Sequence, residues 1–250
     1  MTNWRINIFF CLCLITLFTI NSCAHGLNIN KPLSKVKKSI VKIEVWMLQE
    51  VCDNEEKICG EYSIYATGSG SVLQYHNNSA VLTAAHVCQA SKSISEYFIL
   101  NGAEIIIKAI DRDDRNHIIK IIKIDKSLDV CLLKFIDDSV KIPELKISRK
   151  KPEYGERVYN LAAPLGIIKQ EMVPVFEGFY MEQDINNAFY SIPVISGSSG
   201  SPIVNSRGEI IGMIHSVHRV FHHISLSVTY SDLWNFIKDI NIDFLDTPVH

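Results

Sequence analysis

The 250-residue sequence has no excess of charge of either sign, no internal repeat and no low-complexity tract. Its 25 lysine and arginine residues are balanced by 27 acidic residues, so the net charge is −2. Proteins that bind nucleic acid through its phosphates usually carry a basic excess, and this composition shows no such electrostatic signal, so we expect no nucleic-acid partner. Because 47% of the residues are apolar, the chain is long and apolar enough for a well-filled core.

The sequence also lacks the ligand spacings of a metal site. Four histidines fall close together, but they have neither a fixed helical spacing nor a nearby cysteine: His215, His218, His222 and His223. Protein zinc sites combine such ligands at short, regular intervals. We therefore expect no metal ion and no cofactor.

The N-terminal apolar run is too short for a membrane-spanning helix. It covers 15 residues, Ile6–Ile20, and follows a polar start that contains Arg5. A spanning helix needs about 20 apolar residues, whereas a run of this length suits the apolar region of a signal peptide. We therefore expect residues 1–22 to be a signal peptide and the protein to be exported.

The sequence Ile20-Asn21-Ser22-Cys23 resembles the lipidation motif of bacterial lipoproteins, with Cys23 as the modified first residue. Ile20 and Asn21 depart from the usual residues, so ordinary cleavage and an uncleaved anchor stay open as alternatives. Residues 23–37 would then form a polar tether. The expected location is the cell envelope, through a lipid anchor on a membrane surface, or the secreted fraction.

The cysteines fit an oxidising compartment. Of the seven, three belong to the signal region: Cys11, Cys13 and Cys23. Cys52 and Cys59 flank a short polar loop, and we expect a disulfide to close that hairpin. We interpret Cys88 and Cys131 as buried thiols, with a bridge between them as the alternative.

The most informative segment is Gly197–Pro202, with the sequence Gly-Ser-Ser-Gly-Ser-Pro. Extended runs precede and follow it, so Ser199 is predicted to lie on a tight turn between two strands with its hydroxyl exposed. The neighbouring backbone N–H groups are free to point at a common spot. An acyl-transfer nucleophile with an oxyanion site needs this arrangement.

Two further segments contain a base and an acid. Ala80–Cys88 is a strand that runs into small residues and then His86. Ser127–Phe135 puts Asp129 at the head of an apolar strand. A largely buried carboxylate needs a partner, and an imidazolium is one that suits it.

In this chain order, Leu-Thr-Ala-Ala-His, Leu-Asp-Val-x-Leu-Leu-Lys and Gly-x-Ser-Gly-Ser-Pro resemble the trypsin/chymotrypsin-like serine proteases. Gly-Ser-Pro after Ser199, together with Gly208–Gly212, is most similar to the bacterial glutamyl-endopeptidase and Deg-type branches. The resemblance implies an all-β fold of two six-stranded antiparallel β-barrels with a C-terminal helix. No PDZ module is expected to follow it.

The resemblance implies one protease domain over residues 38–250. The first barrel would cover about 38–140, the second about 150–230 and the helix 231–240, with Ser231 as its N-cap. A kink in the strand at Gly68–Gly70 is expected to be a bulge or a tight barrel corner.

The resemblance also implies a role for each motif residue. Ser199 would be the nucleophile, His86 the general base and Asp129 the residue that orients His86. The N–H groups of Gly197 and Ser199 would form the oxyanion hole, and a polypeptide would be the substrate. A catalytically silent binding module of the cell envelope on the same fold is the alternative. Ser198 replaces the aspartate of the trypsin activation switch, which is therefore not expected here.

The substrate-pocket candidates are Pro193, Ile214, His215 and Ser216. Pro193 falls where trypsin has its pocket aspartate, so a preference for Lys or Arg is not expected. The pocket histidine of glutamyl endopeptidases falls on Ile214. His215 is one place later, and one step along a strand reverses the face. His215 would then point toward Asp129 instead of the pocket, and the direction toward the pocket stays open as the alternative. Small or apolar substrate side chains are preferred, and acidic ones are the alternative.

Overall fold

The computed structural model describes residues 29–49, 61–75, 78–88, 104–169, 172–221 and 223–241. Within these ranges, twelve strands form two closed antiparallel barrels. This architecture confirms the predicted all-β, chymotrypsin-like fold. The predicted signal peptide, Cys23 and the pair Cys52 and Cys59 lie outside the described residues.

The first barrel contains six strands in the spatial order β1-β2-β3-β6-β5-β4. Their bounds are β1 Ile40–Gln49, β2 Glu61–Tyr75, β3 Asn78–Ala84, β4 Glu104–Ile110, β5 Asn116–Asp125 and β6 Val130–Phe135. Because side chains alternate across a strand, Val41, Ile43 and Val45 all enter the core from β1. The neighbouring strands β3 and β6 lead to the segments that carry His86 and Asp129.

The second barrel has the spatial order β10-β11-β12-β9-β8-β7. Its strands are β7 Arg157–Leu161, β8 Val175–Gln183, β9 Asn187–Tyr190, β10 Pro202–Val204, β11 Ile210–Val217 and β12 Ser225–Val228. Two buried tyrosines, Tyr180 and Tyr190, pack with aliphatic residues such as Ile203 and Ile211 in its core. Ser199 lies three residues before the start of β10 at Pro202, so this barrel supports the predicted nucleophile.

The glycines of Gly68–Gly70 do not mark the irregularity of β2. The register between β1 and β2 shifts between Val45 and Trp46, away from these glycines. A Cβ on Gly68 would lie 2.7 Å from the side chain of Val87 and 3.2 Å from the Ser199 carbonyl oxygen. Gly68 therefore leaves room chiefly for the Val87 side chain and also for the Ser199 carbonyl.

Among the described residues, one α-helix precedes the barrel strands and another follows them, and no helix there is long and apolar enough to cross a membrane. The stretch predicted as a tether contains helix α1, Asn30–Lys38, which buries Val36. This apolar residue gives part of the segment a packed position that a tether would lack. The C-terminal helix is α2, Tyr230–Asn241.

The N-cap of α2 is Thr229, and the prediction of Ser231 is wrong. The backbone N–H of Asp232 donates to Thr229 Oγ1 (3.2 Å), and the Thr229 hydroxyl donates to the Asp232 carboxylate (2.6 Å). Ser231 already lies inside the helix. A capping oxygen must precede the first helical residue to accept from the free N–H groups, so Thr229 has this role.

Cys88 and Cys131 form a disulfide, so their interpretation as buried thiols is wrong. Strands β3 and β6 are paired, with Thr83 opposite Cys131. The helical residues 85–88 then return Cys88 toward that position, and the two Cα atoms lie 6.6 Å apart, within bridging distance. The bridge joins the segments that carry His86 and Asp129.

We expect reduction of this disulfide to lower the free energy of unfolding by about 4 kcal/mol, because the bridge closes a loop with a sequence separation of 43 residues. Urea unfolding with and without a phosphine reductant measures the change. A Cys88→Ala/Cys131→Ala variant is the control, since its response to reductant excludes this bridge. An equal response of both proteins would contradict the prediction.

Candidate active site

His86 and Asp129 form a hydrogen-bonded pair on the first barrel. His86 lies in the helical residues 85–88 after β3, and Asp129 lies in the turn before β6. The ring Nδ1 of His86 is 2.7 Å from Asp129 Oδ2, and the backbone N–H of His86 donates to Asp129 Oδ1 (2.8 Å). The carboxylate therefore holds both the ring and the backbone of His86. Because Nδ1 is engaged, the exposed ring has Nε2 available for other partners.

The turn that presents Asp129 is tightly specified. Asp129 adopts a left-handed backbone conformation with φ 56°, which is unfavourable for a residue other than glycine. The Asp125 carboxylate accepts hydrogen bonds from the hydroxyl and N–H of Ser127 and from the N–H of Leu128. These bonds, led by the Ser127 hydroxyl, hold the pKa of Asp125 below its usual value. The Asp129 carbonyl also accepts from the N–H of Ala85 (3.0 Å). Strain maintained in this way is typical of functional sites.

The turn before β10 has a hydrogen bond on each of four consecutive carbonyl groups. The Ser196 carbonyl accepts from Leu165 N–H (2.8 Å). Ser69 holds two of the carbonyls: its hydroxyl donates to Gly197 O (2.7 Å) and its N–H donates to Ser199 O (2.8 Å). The Ser198 carbonyl accepts from both the N–H (3.0 Å) and the hydroxyl (2.6 Å) of Ser201. In a trans peptide the N–H points opposite to the carbonyl of the same unit. These bonds therefore fix the directions of the four following N–H groups.

Two of those four N–H groups, at Gly197 and Ser199, have no acceptor among the described residues. The other two are paired: Ser198 N–H donates to Ile195 O (3.0 Å), and Gly200 N–H donates to Ile214 O (2.7 Å). Unpaired amides are uncommon inside folded proteins. Two on alternate residues of one fixed turn can bind an oxygen atom that carries negative charge.

Two glycines make this turn possible. Gly197 and Gly200 have φ values of 89° and 86°, in the left-handed region that side chains disfavour. A Cβ on Gly200 would overlap the Thr83 hydroxyl and the Ser69 carbonyl, and it would lie 2.9 Å from Ala84 N. The residue after Ser199 is therefore packed directly on the end of β3, where the segment containing His86 begins.

Ser69 connects the first barrel to the turn of the second. It lies on β2 and is fully buried. Besides the two bonds to the turn, its hydroxyl accepts from Ala163 N–H (2.8 Å), and its carbonyl accepts from the Thr83 hydroxyl (2.7 Å). The prediction from sequence missed this residue, although a serine inside a buried strand is a signal of a specific hydrogen-bonding role.

The hydroxyl of Ser199 makes no hydrogen bond with another described residue, and the side chain is partly exposed. The structure thus contains three predicted components: an oriented imidazole on the first barrel, and a serine hydroxyl and two free amides on a turn that packs on the end of β3. A hydrogen bond between a catalytic serine and its base is often absent before substrate binds. The arrangement can support attack by the serine oxygen on an acyl group.

The four predicted pocket residues differ in their surroundings. The side chain of Ile214 belongs to the core of the second barrel, so the structure does not place it at a surface pocket. Pro193 and Ser216 are exposed. His215 points toward the carboxylate of Asp129, with Nδ1 3.9 Å from Oδ2. Of the two directions considered for His215, the geometry therefore corresponds to the one toward Asp129.

His215 is mostly buried, with Nε2 3.1 Å from Asn187 Oδ1. Burial lowers the pKa of His215, and the nearby charge of Asp129 opposes this effect only in part. His86 lowers it further, and a hydrogen bond with the Ser227 carbonyl raises it.

Across the described part of the chain, no three His, Cys, Asp or Glu side chains lie close enough together to hold a metal ion.

Comparison with known proteins identifies a similar sequence and a similar structure, each over most of this chain. The chain is 24% identical over 216 residues to human serine protease HTRA4, a match that covers 83% of this chain and 40% of that protein. It therefore spans less than half of the length of this curated relative. A crystal structure of the serine endoprotease from Yersinia pestis superposes with a TM-score of 0.63 at 19% identity, over 87% of this chain and 68% of that chain. This likeness concerns the fold.

The model of the trypsin-like peptidase domain matches residues 68–213. This range begins at Gly68 in β2 and ends at Met213 in β11. It includes His86, Asp129 and the whole Ser199 turn. The chain belongs to the trypsin-like peptidase family.

Proposed function

We propose that this protein is an exported serine endopeptidase that hydrolyses peptide bonds through an acyl-enzyme intermediate. The observation that carries the proposal is the pair of unpaired amides, at Gly197 and Ser199, on the same turn as the Ser199 hydroxyl. The hydrogen bond between His86 and Asp129 supports it, because it leaves Nε2 of the ring for the serine. A silent binding module would have no need of two amides held without acceptors.

In the proposed reaction, Ser199 Oγ attacks the scissile carbonyl carbon while His86 Nε2 takes the hydroxyl proton. Asp129 holds the ring and stabilises the imidazolium. The carbonyl oxygen becomes negative in the tetrahedral intermediate and binds the amides of Gly197 and Ser199. His86 then donates the proton to the leaving amine. As the peptide C–N bond breaks, the acyl group stays on Ser199 Oγ. Water then attacks the acyl carbon while His86 takes its proton, and His86 returns this proton to Ser199 Oγ as the ester bond breaks and the acid leaves.

For substrate choice, we propose small or apolar side chains before the cut. Pro193 offers no carboxylate for a basic side chain. An acidic side chain is the alternative because of His215, but its imidazole lies near Asp129 and its pKa is lowered by burial. A neutral imidazole near another carboxylate is a weak partner for an acidic group.

Export is proposed from the apolar segment within residues 1–22 and is supported by the Cys88–Cys131 disulfide, since such bonds persist in oxidising compartments. We propose lipidation of Cys23, with ordinary cleavage and an uncleaved anchor as alternatives. Mass spectrometry of the mature N-terminus separates them: a diacylated Cys23 as first residue is expected. An intact Met1 in a cytosolic fraction would overturn export.

We expect a fluorophosphonate probe to label the wild-type protein covalently, because a serine activated by His86 attacks phosphorus as it attacks a carbonyl. In-gel fluorescence measures the labelling. Ser199→Ala should abolish it, whereas Ser198→Ala, which alters the buried neighbouring serine, should retain a labelled Ser199. Absence of labelling in folded wild-type protein would contradict the proposed function and favour a silent binding module.

The lowered pKa of His215 predicts how the stability of the protein depends on pH. Because folding lowers this pKa from 6.5, the unfolded chain binds the proton more tightly. The contribution of neutral His215 is therefore fully present above pH 6.5 and is lost as the pH falls through the folded-state pKa. His215→Gln should lose less stability than wild type between about pH 8 and pH 5 in urea unfolding. Parallel stability curves for the two proteins would refute this.

A further inference from the structure

Three buried polar residues form a chain of hydrogen bonds behind Ser199. The Nδ2 group of Asn160 donates to Ser201 Oγ (2.7 Å) and to the Pro202 carbonyl (2.9 Å). The Ser201 hydroxyl donates to the Ser198 carbonyl (2.6 Å). Asn160, Ser201 and Ser198 are each at most 1% exposed. The chain is thus isolated from water and each bond has a defined direction.

The end of this chain acts on the peptide unit that contains the Ser199 N–H. The Ser198 carbonyl and the Ser199 N–H belong to one planar unit and point in opposite directions. Two donors of Ser201, its N–H (3.0 Å) and its hydroxyl (2.6 Å), hold the Ser198 carbonyl. A rotation of the unit that moved the Ser199 N–H away from the substrate would break both bonds.

The amide of Asn160 sets the direction of the Ser201 hydroxyl. A serine hydroxyl has one proton, and Ser201 Oγ accepts from Asn160, so its own proton is directed to the Ser198 carbonyl. Asn160 Oδ1 is buried and has no partner among the described residues. Such unsatisfied groups are rare, and their retention suggests a functional requirement for the donor side of the amide.

We propose that Asn160 and Ser201 are positioning residues that hold the Ser199 N–H at the oxyanion site. This inference rests on the proposed function and adds two residues that touch neither substrate nor the reacting atoms. Their effect is exerted on the tetrahedral intermediate, in which the oxyanion forms. Removing them therefore lowers kcat and leaves KM nearly unchanged.

The hydrogen-bond chain Asn160–Ser201–Ser198, called the relay below, is distinct from the contact made by Ser69. The Ser69 hydroxyl binds the Gly197 carbonyl, whose peptide unit carries the Ser198 N–H. That N–H is already paired with Ile195 and is not one of the two free donors. Asn160 and Ser201 act on a free donor.

The test compares Ser201→Ala, Asn160→Leu and the double variant with wild type, using a fluorogenic peptide that the wild-type protein cleaves. We expect Ser201→Ala to reduce kcat by about 10- to 100-fold, a smaller loss than deletion of an oxyanion donor, with KM within about twofold. Asn160→Leu should reduce kcat less. The double variant should equal Ser201→Ala, because Asn160 acts through Ser201.

Ser71→Ala is the matched control. Ser71 is also a fully buried serine in a barrel strand, but its hydroxyl has no hydrogen-bond partner among the described residues. Its removal should leave kcat and KM unchanged. Titration of the active sites with the fluorophosphonate corrects each kcat for the fraction of folded protein. If Ser201→Ala does not fold, Asn160→Leu tests the relay in its place.

The outcomes separate the two proposals. Wild-type protein with no cleavage and no labelling would overturn the proposed function and the relay with it. Active wild-type protein together with a Ser201→Ala variant of unchanged kcat would overturn the relay alone. Additive losses in the double variant, or a loss confined to KM, would also overturn it.

Discussion

The docking of the Ser199 turn on Ser69 is the contact on which the active-site arrangement depends. One residue of the first barrel donates two hydrogen bonds to the second, from its N–H to the Ser199 carbonyl and from its hydroxyl to the Gly197 carbonyl. Gly200 allows the two surfaces to approach closely enough for these bonds, because a Cβ there would overlap Thr83 and Ser69. A side chain at this position would separate the serine from the barrel that carries His86 and Asp129.

The hydrogen-bonded carbonyls of the turn fix the directions of its two free amides. Every carbonyl from Ser196 to Ser199 is bound, and each bond turns the N–H of its own peptide unit to the other side. Positive φ at Gly197 and Gly200 lets consecutive units alternate in direction. Preorganised donors of this kind are effective because they need no reorientation when charge develops. The site is therefore built from backbone geometry, with buried polar side chains as its supports.

The three motifs of His86, Asp129 and Ser199 could be found in the sequence because each is local and lies beside a strand, and the two barrels were predicted from the resemblance that these motifs carry. Contacts between distant residues could not be predicted in this way. Ser69 and Gly197 are separated by 128 positions, and no periodicity relates them. The Cys88–Cys131 bridge depends on how residues 85–88 return over β6. Thr229 and Ser231 are both plausible caps by residue type, and the first helical residue decides between them.

The most direct test of the central claim is a crystal structure of the protein after reaction with a fluorophosphonate. The account predicts phosphorus bonded to Ser199 Oγ and one phosphonyl oxygen about 2.7–3.1 Å from the backbone nitrogens of both Gly197 and Ser199. The Ser198 carbonyl should still accept from Ser201. A phosphonyl oxygen that points to solvent, or a peptide unit rotated so that either amide binds a protein carbonyl, would contradict it.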